Sequence, residues 1–135
     1  MIIDTNIIIS ALIKDSITRK IIIESGLNLF YPELSLLEIK KHEDYIIKKS
    51  NYSKNEFNQI LNKLLEYIKL IPTEIIQINL KESKEIMKDI DINDSIFIAA
   101  ALSLNCDIWS DDSDFDKQTK IKVIKTKDLL NIFEK

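Results

Sequence analysis

Residues 1–10, MIIDTNIIIS, set a polar triplet between two isoleucine-rich runs. Met1–Ile3 has the composition of a short buried strand and Thr5–Ile13 that of an apolar helix, so Asp4 lies at the join. An aspartate there has two uses. It can cap the helix that starts at Thr5, or it can put a carboxylate beyond the end of a strand, where open parallel sheets bind ligands. Asn6 falls inside the first helical turn, so capping does not explain it; Thr5 and Asn6 are placed to orient the carboxylate by hydrogen bonds.

The strand-then-helix order repeats along the chain. A helix is expected from about Ser16 to Glu24, stopped at Gly26, and then a strand in LNLFYP (27–32) closed by Pro32. Glu33–Lys49 contains no glycine or proline and reads as one helix. Ser53–Lys69 reads as the next, opened by the capping box SKNE (53–56), and the two form a helical hairpin. Further helices are expected over Asn79–Lys88, NDSIFIAAALSL (93–104) and Lys127–Phe133, with strands in CDIW (106–109) and IKVI (121–124). Ala99–Ala101 suit a helix packed closely on a sheet. Strands alternating with helices imply parallel pairing with helices on both faces, so the class is α/β. The 135 residues carry no linker or repeat and are read as a single domain, 1–135.

Composition excludes several chemistries. One glycine, Gly26, leaves no room for a P-loop or a dinucleotide fingerprint. One histidine, His42, rules out zinc sites built on several imidazoles, and its polar context EIKKHEDY makes it a surface residue. The single cysteine, Cys106, forms no intrachain disulfide, no apolar run reaches the ~20 residues of a membrane span, and the start lacks a signal peptide's basic residues. These features point to a cytoplasmic protein whose plentiful catalytic groups are carboxylates. The net charge of −3 argues weakly against a nucleic-acid partner, but two bound divalent cations would make it +1.

Acids recur at four places. Asp4 follows the first strand, SDDSDFD (110–116) follows CDIW, Asp94 sits at the start of a helix, and Glu38 lies between Leu34 and Tyr45 on a helical stripe otherwise apolar. Each has a structural use: Asp4 and Asp91 as caps, Asp94 at the positive end of a helix dipole, Glu38 as a solvated edge position. Asp112, Asp114 and Asp116 open like an EF-hand, but Lys117 stands at its glycine position and Val123 at its bidentate glutamate position, which excludes a calcium loop. Several carboxylates gathered at one sheet edge, without imidazole or thiol, suit a hard cation such as Mg²⁺ or Mn²⁺ and phosphodiester chemistry.

The order IIDTNIIISALI (2–13), SLLEI (35–39), DINDSIFIAAAL (91–102) and IWSDDSDF (108–115), closed by KVIKTKDLL (122–130), resembles the PIN-domain ribonuclease family, to which VapC-type toxins belong. The resemblance implies a three-layer α/β/α fold with a central, mostly parallel sheet. It also implies metal-binding and catalytic acids at Asp4, Glu38, Asp94 and Asp112, with Asp114 as a fifth ligand and the adjacent Asp111 as a competitor for the last position. Thr5, Asn6 and Ser110 would be supporting residues. The implied activity is Mg²⁺- or Mn²⁺-dependent endonucleolytic hydrolysis of single-stranded RNA, leaving 5′-phosphate and 3′-hydroxyl ends. Lys14, Arg19, Lys20, Lys40 and Lys41 are the nearest basic candidates for RNA phosphates. A homodimer and a small antitoxin partner are the assemblies implied. A phosphatase with an aspartate nucleophile is disfavoured because Asp4-Thr5-Asn6 lacks its second aspartate. The alternative is a PIN-like RNA- or protein-binding module with an idle metal site.

Overall fold

The computed structural model describes residues 1–14 and 16–133. Five parallel strands form one sheet in the order β3-β2-β1-β4-β5: β1 Ile2–Ile3, β2 Leu29–Pro32, β3 Ile68–Ile71, β4 Ile108–Trp109 and β5 Val123–Ile124. Among the described residues nine helices accompany them: α1 Thr5–Ile13, α2 Ile17–Glu24, α3 Leu36–Lys41, α4 Glu43–Ser50, α5 Lys54–Leu65, α6 Thr73–Gln77, α7 Leu80–Met87, α8 Ser95–Leu104 and α9 Thr126–Phe133. α8 packs on β1, β2 and β4, with α6 and α7 behind it. α1 packs with α2, α3, α4 and α5, and α9 packs on α2. The expected three-layer α/β/α architecture is the one found, with an entirely parallel sheet.

Burial explains the two helices that border β1. α1 buries Ile7, Ile8, Ile9, Ala11 and Leu12, and α8 buries Phe97, Ile98 and all three alanines, so each is apolar almost all round, as a helix inside a layered core must be. Gly26, at φ +73°, takes the left-handed position just past α2, where a Cβ would be strained. The Ser53 capping box forms, with Ser53 Oγ accepting from Glu56 N–H and Glu56 returning to Ser53 N–H.

Three expectations are corrected. The helix from Ser53 stops at Leu65, not Lys69, and Ile68–Ile71 is a strand that pairs with β2 from Leu29↔Ile68 to Pro32↔Ile71. Its apolar spacing continues the helical period and no glycine or proline marks the helix end; pairing with β2 decides the conformation. The single helix expected over Glu33–Lys49 is a short 3₁₀ turn at Glu33–Ser35, then α3 and α4, broken at His42, whose φ −97° and ψ 5° leave the helical range. The stripe through Leu34 and Tyr45 is consequently exposed rather than core, at 50% and 53%. α6 follows Pro72, which stands at its N-cap in extended conformation, and lies in a stretch left without an element by periodicity alone.

Ala100 is fully buried in α8 against the sheet. Ala100→Leu should therefore lower stability by about 1–3 kcal/mol through overpacking, read as a lower urea midpoint at unchanged m-value.

Candidate metal centre

The strand order reverses between β1 and β4, and the acids gather beyond the carboxyl ends of those two strands, at the switch point where parallel sheets place their ligands. The register Ile3↔Trp109 sets the next residues, Asp4 and Ser110, side by side. Ser110 Oγ donates to Asp4 Oδ2 at 2.7 Å and accepts from Asp112 N–H at 3.0 Å, so one buried hydroxyl ties both aspartates together. Asp4 is only 4% exposed, yet its Oδ1 has just a long 3.4 Å contact from Asn6 N–H. It caps α1 and faces the cluster, so both uses of the residue coexist. Burial raises its pKa, and repulsion from Asp112 adds to this against the Ser110 bond.

Glu38 reaches the same place from α3. The Tyr31 hydroxyl donates to the Ser35 carbonyl at 2.9 Å and lies 2.7 Å from Thr5 Oγ1, bracing the turn before α3 against the start of α1. Burial and the charge of Asp4 raise the Glu38 pKa, partly offset by the Thr5 hydroxyl, His42 and Lys41. With the Tyr31 hydrogen given to Ser35, Thr5 Oγ1 donates to the Tyr31 hydroxyl, while Asn6 supports Asp4 through its backbone and has an exposed side chain.

Asp94 is the electrostatic centre. Burial, followed by repulsion from Asp91, Asp4, Asp112 and Glu38, pushes its pKa up to about 7. Asp91, Asp94 and Asp114 each offer a carboxylate oxygen within 4.8 Å of the others, close enough to share one cation. Asp91 was expected only as a cap. It does cap, accepting from Asn93 N–H at 3.0 Å, and the 3₁₀ turn it opens, Ile92–Asp94, folds back on it, with Asp94 N–H donating to the Asp91 carbonyl at 3.1 Å. The D-x-x-D spacing was the signal, because residues three apart share one side of a helical turn.

The other aspartates of 110–116 are divided between neighbours. Asp111 accepts from Thr126 N–H at 2.8 Å and Thr126 Oγ1 at 2.7 Å, and so belongs to the start of α9. Asp112 Oδ1 caps the following 3₁₀ turn through Asp114 N–H at 2.9 Å. Lys117 pairs with Asp114 at 3.0 Å and Lys125 with Asp116 at 2.8 Å, relieving much of the repulsion the sequence implies. Among the basic candidates, Arg19 is engaged within the fold: it donates to the carbonyls of Ala11 (2.7 Å) and Leu12 (3.3 Å) and to the Tyr52 hydroxyl (3.0 Å), closing the end of α1. Lys20 lines a groove along α2 that shares no residue with the acids, Lys40 is exposed on α3, Lys41 lies near Glu38, and Lys14 lines a groove beside Asn6.

The donor set fits a hard divalent cation. Its members are carboxylate oxygens; Asp4, Glu38 and Asp94 among the clustered acids ionise less readily than free carboxyls, and a cation beside them would oppose those shifts. Without a cation, Asp94 holds its proton more tightly in the folded state than in the unfolded one. Its contribution to stability is complete below about pH 4 and is lost as pH rises toward its folded pKa of about 7. In EDTA, the fall in Tm from pH 5 to pH 8 should shrink in Asp94→Asn relative to wild type; an identical fall in both proteins would contradict this electrostatic assignment.

Residues 2–131 match the PIN domain family. No curated protein and no solved structure matches the chain. The family match runs from β1 into α9 and takes in every acid of the cluster. The chain belongs to the PIN-domain family, whose members are in general nucleases that use divalent metals.

Proposed function

We propose that the protein is a Mg²⁺- or Mn²⁺-dependent endoribonuclease acting on single-stranded RNA. The observation that carries this reading is the convergence on Asp94 of repulsion from Asp91, Asp4, Asp112 and Glu38, in a cluster to which no imidazole or thiol contributes a ligand. Asp4, Glu38 and Asp94 would hold one ion, and Asp112, with Asp114, would help to hold a second or orient the attacking water. The bound ions supply charge that acidifies water and neutralises the phosphate as its negative charge develops. Ser110 fixes the Asp4 carboxylate through Oδ2, and Oδ1, held only by the long Asn6 N–H bond, keeps a lone pair that a cation would take. Water adds to phosphorus, the P–O3′ bond breaks and the 3′ oxygen takes a proton. No protein nucleophile is required.

The partner reading is part of the same proposal. Leu34, Leu37 and Ile92, which flank the acids in sequence, are 50%, 61% and 51% exposed. Apolar surface beside repelling carboxylates suits a protein that covers the cleft with apolar and basic side chains, as a small antitoxin would, and the second protomer of a homodimer would also cover apolar surface. No helix among the described residues is long and apolar enough to cross a membrane, which agrees with a cytoplasmic encounter with RNA.

The test is cleavage of end-labelled single-stranded RNA by the pure chain in Mg²⁺, Mn²⁺ or EDTA. Cleavage should require metal and fall ~100-fold or more in Asp94→Asn, because a lost ligand removes several kcal/mol of charge stabilisation. Asp4→Asn should behave alike. Metal-independent cleavage, or full activity in Asp94→Asn, would exclude the mechanism and favour a binding module with an idle metal site.

A further inference from the structure

Beside the acids lies a groove of about 340 Å³ lined by Asn6, Ile9, Ser10, Ile13, Lys14, His42 and Tyr45. It runs between α1 and the α3–α4 break, and two hydrogen bonds connect its lining to the residues of the cluster. Asn6 follows Asp4 by two residues and gives it a backbone hydrogen bond. His42 Nδ1 lies 2.8 Å from the carbonyl oxygen of Glu38. A carbonyl only accepts, so Nδ1 carries the hydrogen and Nε2 is the ring nitrogen left for a ligand.

We propose that this groove is a single-nucleotide subsite for the RNA strand next to the bond that is cut, with the base stacked on Tyr45. This rests on the nuclease reading of the adjoining acids. Three features select RNA as occupant. Tyr45 is 53% exposed on α4 and, among the described residues, stacks on no other ring, so a π-face is open to a base. Lys14 lines the same groove and complements a phosphate, which the neighbouring carboxylates alone would repel, and the bare Nε2 of His42 can accept from a base N–H or a 2′-hydroxyl. Asn6 and Ser10 offer an amide and a hydroxyl, groups that hydrogen-bond base edges and 2′-hydroxyls. The volume is at the small end of the roughly 300–1,000 Å³ of ligand pockets, which suits one splayed nucleotide and not a base pair. The proposal gives the exposed aromatic residue, the broken helix and the one histidine a common purpose.

The experiment is fluorescence anisotropy of a labelled mixed-sequence single-stranded RNA on the full chain, with Asp94→Asn in Mg²⁺ so that RNA is not consumed. Adding Tyr45→Ala should raise Kd about ten-fold, and Tyr45→Phe, which keeps the ring, should stay within about two-fold. Circular dichroism should show the same fold, since Tyr45 is exposed. Unchanged Kd in Tyr45→Ala, or no RNA binding by the parent chain, overturns the subsite and leaves the groove to a protein partner. The two readings separate in the otherwise wild-type chain. Metal-dependent cleavage with KM insensitive to Tyr45→Ala would reject the subsite and keep the nuclease. RNA affinity that falls in Tyr45→Ala, without metal-dependent cleavage by wild type, would keep the subsite and reject the nuclease.

Discussion

Two residues hold the centre of this protein. Ile2 and Ile3 pair with β2 on one side and β4 on the other, and neither side chain reaches solvent. A strand this short contributes few hydrogen bonds, so its position depends on the apolar layers of α1 and α8 that enclose it. Once β1 is fixed, Asp4 has no freedom: its N–H bonds the Trp109 carbonyl at 3.1 Å, and its side chain meets Ser110. The most buried acid of the cluster is thus positioned by a fully buried strand.

That positioning opposes stability. Asp4, Glu38 and Asp94 are each made harder to ionise, first by burial and then by one another. Other acids nearby have partners: Asp114 pairs with Lys117, Asp116 with Lys125, and Asp111 accepts two hydrogen bonds from Thr126. Partnered acids thus flank a set with raised pKa values. A scaffold built only for stability would have put apolar residues at the switch point; strain of this kind concentrates where function needs it.

Much of this was legible in the sequence. Apolar periodicity gave the class, and the two strand ends followed by Asp4 and by the aspartate run lie side by side, as their positions implied. What escaped depended on tertiary context. β3 looks helical because Leu61, Leu64, Leu65 and Ile68 keep a helical spacing, and only β2 beside it selects the extended form. Asp91 joined the cluster because the fold brings Asp114, from the loop after β4, against the turn that Asp91 caps. Arg19 read as a phosphate ligand, and only the fold brings the carbonyls of Ala11 and Leu12 within its reach.

The sheet's outer strands bear on how copies of the chain can meet. β5 has two residues, and β3 carries Lys69 and exposed Leu70 before ending at Pro72. A short edge on one side, and a charged, proline-terminated edge on the other, are poor templates for another strand. An isoleucine-rich chain with a parallel sheet is thereby kept from growing into filaments by edge-to-edge pairing. Edges of this kind direct contact between copies toward side chains on the helical faces.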